Sequence, residues 1–363
     1  MNAEKINVLV TAVGGGGPGE QILKALLLVR EHYWIVGADT SSACPQFAWC
    51  DAAVTIPMAS DPDYLPALTR VLVHHRIQAV FFGCEPEIKA MMHRRKELSE
   101  RGIIAPMNPP EVVSLCMDKD RCTTWLSDKG FLTPKSKRLE EVKECGQIDF
   151  YPVVIKPAVG SGGSRNVYIA QDPYELQQLR GFLLRPGDKY LVQEYVGTPD
   201  QEYTVGVLHD MDGQYVNTIT IRRRITGLLN IRLSVLNRSG RRELGAFLVV
   251  SSGVSQGDVV HVPIVSDTCR AIAASLGAKS AINIQCRLVN NQVYVFEINP
   301  RFSGTTSIRA MVGYNEPDVL LRRHVAGEAI QVNFPYRTGT VLRGLSEYLI
   351  SQHQASNWRD LEG

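Results

Sequence analysis

No stretch of this sequence holds 18 uninterrupted apolar residues, so it offers no membrane-spanning helix. Its first residues, Met1-Asn2-Ala3-Glu4-Lys5, run straight into an apolar strand. They lack the charged start, long apolar run and small-residue cleavage site of a secretory leader. Net charge is only +2 over 363 residues, so no basic field marks a DNA or RNA binder. None of the eight cysteines form Cys-x-x-Cys, and the eight histidines form neither His-x-x-x-His nor His-Glu-x-x-His. These gaps remove the common zinc motifs and favour free thiols in a reducing cytoplasm. Internal repeats and low-complexity tails are also missing. What is left is the composition of an ordinary globular protein, 44% hydrophobic and 21% charged, long enough for two or three packed units.

The first 110 residues alternate short apolar runs with helical stretches. Ile6 to Val13, Trp34 to Gly37 and Ala79 to Phe82 read as strands; 20–29, 62–76 and 86–101 read as helices. That order predicts a parallel α/β sheet. Pro106, Pro109 and Pro110 mark the exit. Asp118 is a good N-cap and Gly130 a good stop for a helix between them. A strand over 151–157 then meets the loop Gly160-Ser161-Gly162-Gly163-Ser164, and 166–170 can return antiparallel. A helix over 172–184, a strand over 190–196, strands across 202–250 and a helix over 264–276 follow.

The densest chemistry lies in the hairpin from Ala281 to Arg301. Side chains alternate faces along a strand, so Glu297 and Asn299 share one, about 6.6 Å apart along the chain. Pairing Gln285 with Glu297 implies a three-residue loop, Asn290-Asn291-Gln292, which asparagine tolerates. In that register Ile282, Ile284, Cys286, Leu288, Tyr294, Phe296 and Ile298 form an apolar face. Asn283, Gln285, Arg287, Glu297 and Asn299 form the other. A two-residue turn mixes the sets. An ordinary solvated face is the competing reading, but such faces favour Lys, Glu and Thr, whereas this one offers oxygen donors suited to magnesium. Gln285, Glu297 and Asn299 are the candidate metal ligands, with Arg301 beside them.

Lys156 ends an apolar strand, where a core lysine is costly unless paired. Four residues later the glycine loop can bring backbone N–H groups close to phosphates. It is not a Walker A loop. Glu194-Tyr195-Val196 ends a strand before Gly197-Thr198-Pro199, a hinge whose backbone can meet an adenine edge. Glu202 is a carboxylate in reach of ribose hydroxyls, or a plain surface glutamate.

In order along the chain, these residues resemble the ATP-grasp superfamily, in its branch of carbamoyl-phosphate-synthase-like domains and carboxylate–amine ligases. The resemblance covers Asp118-Lys119-Asp120, Val154 to Pro157, Gly160 to Ser164, Gln193 to Val196, Glu202, Ile284-Gln285 and Glu297 to Gly304. It implies an α/β and α+β chain: a Rossmann-like pre-ATP-grasp domain over 1–110, a small lobe with a glycine flap over 111–198, and a large lobe with the metal site over 199–363. It implies ATP phosphates on Lys119 and Lys156, a flap of Ser161, Gly162, Gly163 and Ser164, adenine on Glu194, Tyr195 and Val196, and ribose on Glu202. One or two Mg2+ ions, replaceable by Mn2+, would sit on Gln285, Glu297 and Asn299. Arg301 would stabilise the transferring phosphoryl group, with Lys156 also catalytic. Apart from the resemblance, Arg222 and Arg224 share a strand face in an arginine-rich stretch, and one of them, Arg224 as the catalytic candidate, is expected to reach the γ-phosphate or the substrate carboxylate; an ordinary solvated strand is the competing reading. Gly15, Gly16, Glu85, Arg222, Ser303 and Gly304 would meet substrate. The implied reaction makes an acyl phosphate from a small carboxylate and passes it to an amine or thiol, releasing ADP. The expected setting is cytoplasmic, without nucleic acid or membrane, and compatible with a homodimer.

Gly14-x-Gly16-x-x-Gly19, with Asp39 twenty residues further on, also matches the dinucleotide fingerprint. An NAD-dependent oxidoreductase is therefore the rival from another class. An ATP-grasp phosphotransferase is the rival within the resemblance. A glutaminase nucleophile motif and a biotin-carrier lysine motif are both absent.

Overall fold

The computed structural model describes residues 5–160 and 164–345. Its first part is a four-stranded parallel sheet of order β3-β2-β1-β4, built from β1 (Ile6–Val10), β2 (Tyr33–Asp39), β3 (Ala52–Thr55) and β4 (Ala79–Phe81). Helix α1 (Pro18–Leu27) begins with proline at its first turn, where the missing N–H costs nothing. Helix α2 is Tyr64–His74. The single helix expected over 86–101 is instead α3 (Glu85–Met91) and α4 (Arg95–Glu100), parted by a 3-10 turn at Met92–Arg94.

Gly19 shows why a glycine opens α1. A Cβ there would stand 2.2 Å from the Ala12 carbonyl oxygen and 2.3 Å from that of Thr11. The helix crosses the end of β1 at backbone contact, so the last glycine of the fingerprint is explained by packing alone. Asp39 accepts from the Gly14 N–H at 2.8 Å and closes onto the glycine loop.

Helices α5 (Pro110–Cys116) and α6 (Lys119–Asp128) lead out of this part. Asp118 caps α6 by accepting from the Arg121 N–H at 3.1 Å, and Gly130 ends it at φ +80°. An antiparallel sheet of order β5-β8-β6-β7 follows, from β5 (Ser136–Arg138), β6 (Val153–Pro157), β7 (Tyr168–Ala170) and β8 (Tyr190–Glu194), backed by α7 (Pro173–Leu183). Beyond it run β9 (Glu202–His209), β10 (Tyr215–Arg223), a one-turn α8 (Gly227–Asn230), and the β11 (Ile231–Leu236) and β12 (Phe247–Ser251) ribbon. Next come β13 (Gly257–Val260), α9 (Pro263–Leu276), β14 (Ala281–Val289), β15 (Gln292–Asn299), α10 (Thr306–Met311), α11 (Glu316–His324) and β16 (Gly339–Val341). Six of these strands form one antiparallel sheet, β15-β14-β9-β10-β13-β16.

Val205, Val207, Ile282, Ile284 and Cys286 cover one face of that sheet and bury α9 through Val265, Cys269 and Ile272. A second core joins the parallel sheet to the large one. Val8, Ile22 and Leu26 pack with Ile219, Phe302, Tyr314 and Leu320. Tyr33 donates to Asp318 at 2.6 Å across the same seam.

The β14–β15 register corrects the expected loop. Asn283, Ile284 and Gln285 face Asn299, Ile298 and Glu297, as the pairing of Gln285 with Glu297 requires. From Cys286 onward the register shifts by one, and the turn is two residues, Asn290 and Asn291, at φ +48° and +61°. Two asparagines at positive φ suit a tight hairpin turn. A bulge at Phe296 absorbs the extra residue. It reverses the facing of the strand: Val293 and Val295 enter the core, while Tyr294 and Phe296 turn to the donor side.

Candidate active site

A cavity opens between the β5–β8 sheet and the uncovered face of the six-stranded sheet. Of the residues singled out from sequence, Lys119, Lys156, Ser164, Glu194, Tyr195, Val196, Glu202, Gln285, Glu297, Asn299, Arg301, Ser303 and Gly304 all line it. Ser161, Gly162 and Gly163 lie outside the described residues.

Lys156 sits at the end of β6 and is buried, as an apolar strand demands. Its Nζ donates to Gln193 Oε1 at 2.8 Å and to the Phe296 carbonyl at 3.0 Å. The lysine of one sheet is thus fastened to the bulge of the other. Burial pushes its ammonium down to about 8, Glu297 opposing the shift and Lys119 reinforcing it. A group held charged only below that pH predicts a one-proton fall in kcat/KM for ATP above about pH 8. Lys156→Arg should abolish that limb in a pH–rate series. At saturating ATP the limb should move to higher pH, because bound phosphate favours the ammonium. The folded value lies below the ordinary 10.5, so the charged lysine costs stability at neutral pH, and the cost fades as pH rises from about 8.

Arg301 lies in the turn after β15. Its Nη2 donates to Glu85 Oε1 at 2.8 Å and to Asn299 Oδ1 at 3.1 Å; its Nη1 donates to the Phe302 carbonyl at 3.0 Å. Glu85 opens α3, so the parallel-sheet part reaches the cavity mouth through this pair. Burial would raise the Glu85 carboxyl, but Arg301, with Lys119 adding, holds it below its ordinary value. Beneath the donors, Asn283 Oδ1 accepts from Thr204 Oγ1 at 2.7 Å and from Arg309 Nη2 at 2.6 Å. Arg309 is fully buried and paired with Glu316 at 2.9 Å. Gly206 gives it passage: a Cβ there would meet Arg309 Nη1 at 2.3 Å.

Four sequence expectations change. Arg222 and Arg224 do not enter the cavity. They are exposed on the far face and bind Asp258, at 3.4 and 2.9 Å. Arg223, between them, points inward and is buried. Alternation along β10 forces this split, and Glu202 on the neighbouring strand decides it. Glu202 itself has little capacity left for a ribose. Its Oε1 accepts from Arg223 and Ser251, both at 2.8 Å, and its Oε2 from Arg287 at 3.0 Å. Tyr195 points into the core, bonding the Val249 carbonyl at 3.1 Å and N–H at 2.8 Å. Arg287 lies over its ring and donates to the Val196 carbonyl at 2.9 Å. Gly15 and Gly16 are not in the cavity lining; the Gly16 N–H donates to Glu20 at 2.9 Å.

Sequence reasoning assigned no role to Arg223, Arg287 or Asn283. The parity of β14 placed Arg287 and Asn283 on the donor face. What it lacked was the pairing of Arg287 with Glu202.

Comparison with known proteins places the chain in a family. The model of the family described as ATP-grasp domain matches residues 116–305, over half of the chain. That of the PylC-like, N-terminal domain matches 8–105. The carbamoyl phosphate synthase large chain of Renibacterium salmoninarum is 24% identical over 226 residues, covering 58% of this chain and 18% of that protein. This chain therefore spans about a fifth of such relatives. The formate-dependent phosphoribosylglycinamide formyltransferase of Prochlorococcus marinus is 22% identical, covering 80% of this chain and 69% of that one. Among solved structures, the ADP complex of N5-carboxyaminoimidazole synthetase from Staphylococcus aureus superposes with a TM-score of 0.63. It has 16% identity and covers 93% of this chain and 82% of its own, a likeness of fold. With a glycine-framed parallel sheet in front and the lysine and donor strands facing each other behind, the chain belongs to the ATP-grasp family.

Proposed function

We propose that the protein is an ATP-dependent ligase that activates a small carboxylate as an acyl phosphate, joins it to an amine, and releases ADP and phosphate. The observation that carries this reading is the docking of Lys156 on the bulge beside Glu297, with Gln285, Asn299 and Arg301 on the same wall. The described lining holds five cationic side chains, Lys119, Lys156, Arg223, Arg287 and Arg301, against Glu194, Glu202 and Glu297, a surplus suited to a polyphosphate.

The donor set fits magnesium. Gln285 and Glu297 are cross-strand partners, and Asn299 follows on the same face. Arg301 uses part of the Asn299 oxygen and fixes its direction. When bound, Mg·ATP supplies the phosphoryl group and a counter-charge for its oxygens. Lys119 and Lys156 then hold phosphate oxygens from the side of the small sheet. The Val196 N–H, which has no partner among the described residues, is offered to an adenine edge. Arg301 faces the site where charge develops and would hold the attacking carboxylate in line. Unpaired cysteines and the lack of a long apolar helix among the described residues fit our placement of this reaction in the cytoplasm.

The test is a phosphate-release screen over carboxylates and amines, with hydroxylamine to trap the acyl phosphate. ADP and a hydroxamate are expected. AMP with pyrophosphate would sink the acyl-phosphate route, and transfer of phosphate to a product that hydroxylamine cannot capture would favour a phosphotransferase. Tight NAD binding without ATP binding would return the glycine loop to the oxidoreductase reading.

A further inference from the structure

Arg343 stands just past β16 and just outside the cavity lining, at its Gly304 end. Its Nη2 donates to the Gly304 carbonyl at 2.7 Å, to Gln21 Oε1 at 2.8 Å and to Ser307 Oγ at 3.0 Å. All three acceptors are neutral. Among the described residues no carboxylate forms an ion pair with it. This sets it apart from the other inward-facing arginines: Arg301 has Glu85, Arg309 has Glu316, and Arg223 and Arg287 share Glu202. The carboxylate whose charge acts on it is Glu20, which already serves Lys24, the Gln46 amide at 2.9 Å and the Gly16 N–H at 2.9 Å. Burial, with Arg223 adding and Glu20 opposing, pushes the Arg343 guanidinium down to about 10. A part-buried guanidinium without a counter-ion is a costly arrangement in a resting protein.

The rest of this corner is built to hold something. The Arg343 N–H is fixed by Gln256 Oε1 at 3.1 Å, so the side chain starts from a tethered backbone. Gln21 links it onward: its amide donates to the Gly16 carbonyl at 3.4 Å. Gln21 also lies in the first turn of α1, where the helix end carries partial positive charge. Arg343 Nη1 and Nε have no partner among the described residues, and neither is walled off from solvent. A fork that is anchored through one nitrogen and open at the others matches an oxyanion.

We propose that Arg343, held in place by Gln21 and by Ser307 (whose hydroxyl donates to Gln21 Oε1 at 2.6 Å), binds a second anionic group on the substrate, a carboxylate or a phosphate, while the carboxylate to be activated lies at Arg301. This rests on the ligase reading and narrows it to doubly anionic carboxylates. The glycine loop, absent from the ATP cavity, then frames the far end of the substrate through Gln21.

The experiment compares the full chain with Arg343→Ala, Arg343→Gln and Arg343→Lys. Substrate arms are butyrate and valerate as monocarboxylates, succinate and glutarate as dicarboxylates, and phosphoglycolate and 3-phosphoglycerate as phosphate-bearing carboxylates. Turnover is read by hydroxylamine trapping, and binding separately by calorimetry without ATP. One arm of doubly charged probes should exceed the monocarboxylates by about 30-fold in kcat/KM, the size of a lost charge-assisted pair. Whether the dicarboxylate or the phosphate arm leads identifies the group. Arg343→Ala and Arg343→Gln should erase the preference through KM, with KM for ATP unchanged; Arg343→Lys should restore part of it. Equal handling of mono- and dianions by the unaltered chain, or a preference that survives Arg343→Gln, overturns the proposal. If none of the six probes is turned over, the proposal is decided by binding alone. Anion binding that Arg343→Gln weakens tenfold would still support the site, and its absence would reject it.

Discussion

Arg301→Ala is expected to lower kcat at least about a thousandfold while leaving the affinity for ATP within a few-fold. The guanidinium touches Asn299, Glu85 and a backbone carbonyl, and its Nε is buried without a partner. Its bonds hold it at the cavity mouth, and in the proposed reaction it meets the transferring phosphoryl group and not the nucleotide's base or sugar. A donor placed in this way acts on charge that appears only as the phosphoryl group moves, so its loss falls on kcat. The competing explanation is structural: removing Arg301 strands the Glu85 carboxylate. Glu85→Gln in the Arg301→Ala background separates the two. If Arg301 acts on the transition state, the double variant stays as slow as the single. Recovery of more than about tenfold would make the pair a structural tether instead. Steady-state rates with nucleotide binding measured in parallel decide it.

Much of the site could be read from residue order because its parts are short and local. The cap at Asp118, the end of the apolar strand at Lys156 and the alternation from Glu297 to Asn299 need no tertiary knowledge. Where the reading failed, the deciding contact was non-local. Alternation cannot reveal a bulge, so Tyr294 and Phe296 were placed on the core side. The apolar character of Val293 and Val295 was equally consistent with either facing until the two-residue Asn290-Asn291 turn set the register. Arg222, Arg223 and Arg224 posed a choice between faces that only Glu202, twenty residues earlier, could settle. Arg343 lies 44 residues beyond Asn299, the end of the donor strand, and the three partners of its side chain come from α1, the Gly304 turn and α10. Its sequence surroundings carry no trace of them.

Glu202→Ala should cost about 3–5 kcal/mol of stability, the usual effect of stripping one partner from a buried ionic cluster. Glu202, Arg223 and Arg287 are 2%, 4% and 7% exposed, so the two guanidinium groups cannot turn to water when the carboxylate goes. Burial alone would raise the Glu202 carboxyl. Arg223 and Arg287, helped by Ser251, hold it below its ordinary value instead. A carboxyl depressed by folding stabilises the protein above its unfolded pKa, and that contribution is lost as pH falls through the lower folded value. The variant's deficit should therefore shrink in acid, once the unaltered chain has also lost its carboxylate. Urea unfolding at pH 7 and again below the ordinary carboxylate range measures both. Replacing all three residues by apolar ones of similar size (Glu202→Leu, Arg223→Met, Arg287→Met) should recover much of the lost stability, because the cost comes from unpaired charge. It should not recover ATP affinity. Arg287 also fastens the carbonyls of Val196 and Gly197, at 2.9 and 3.1 Å, and the hinge that offers the Val196 N–H drifts without it. A triple variant that is stable yet binds ATP about tenfold more weakly, beside a Glu202→Gln variant that binds ATP normally, would show that the arginines fix the hinge and that the carboxylate does not itself grip the ribose. If Glu202→Gln alone abolished nucleotide binding at full stability, the carboxylate would have to be returned to the ribose.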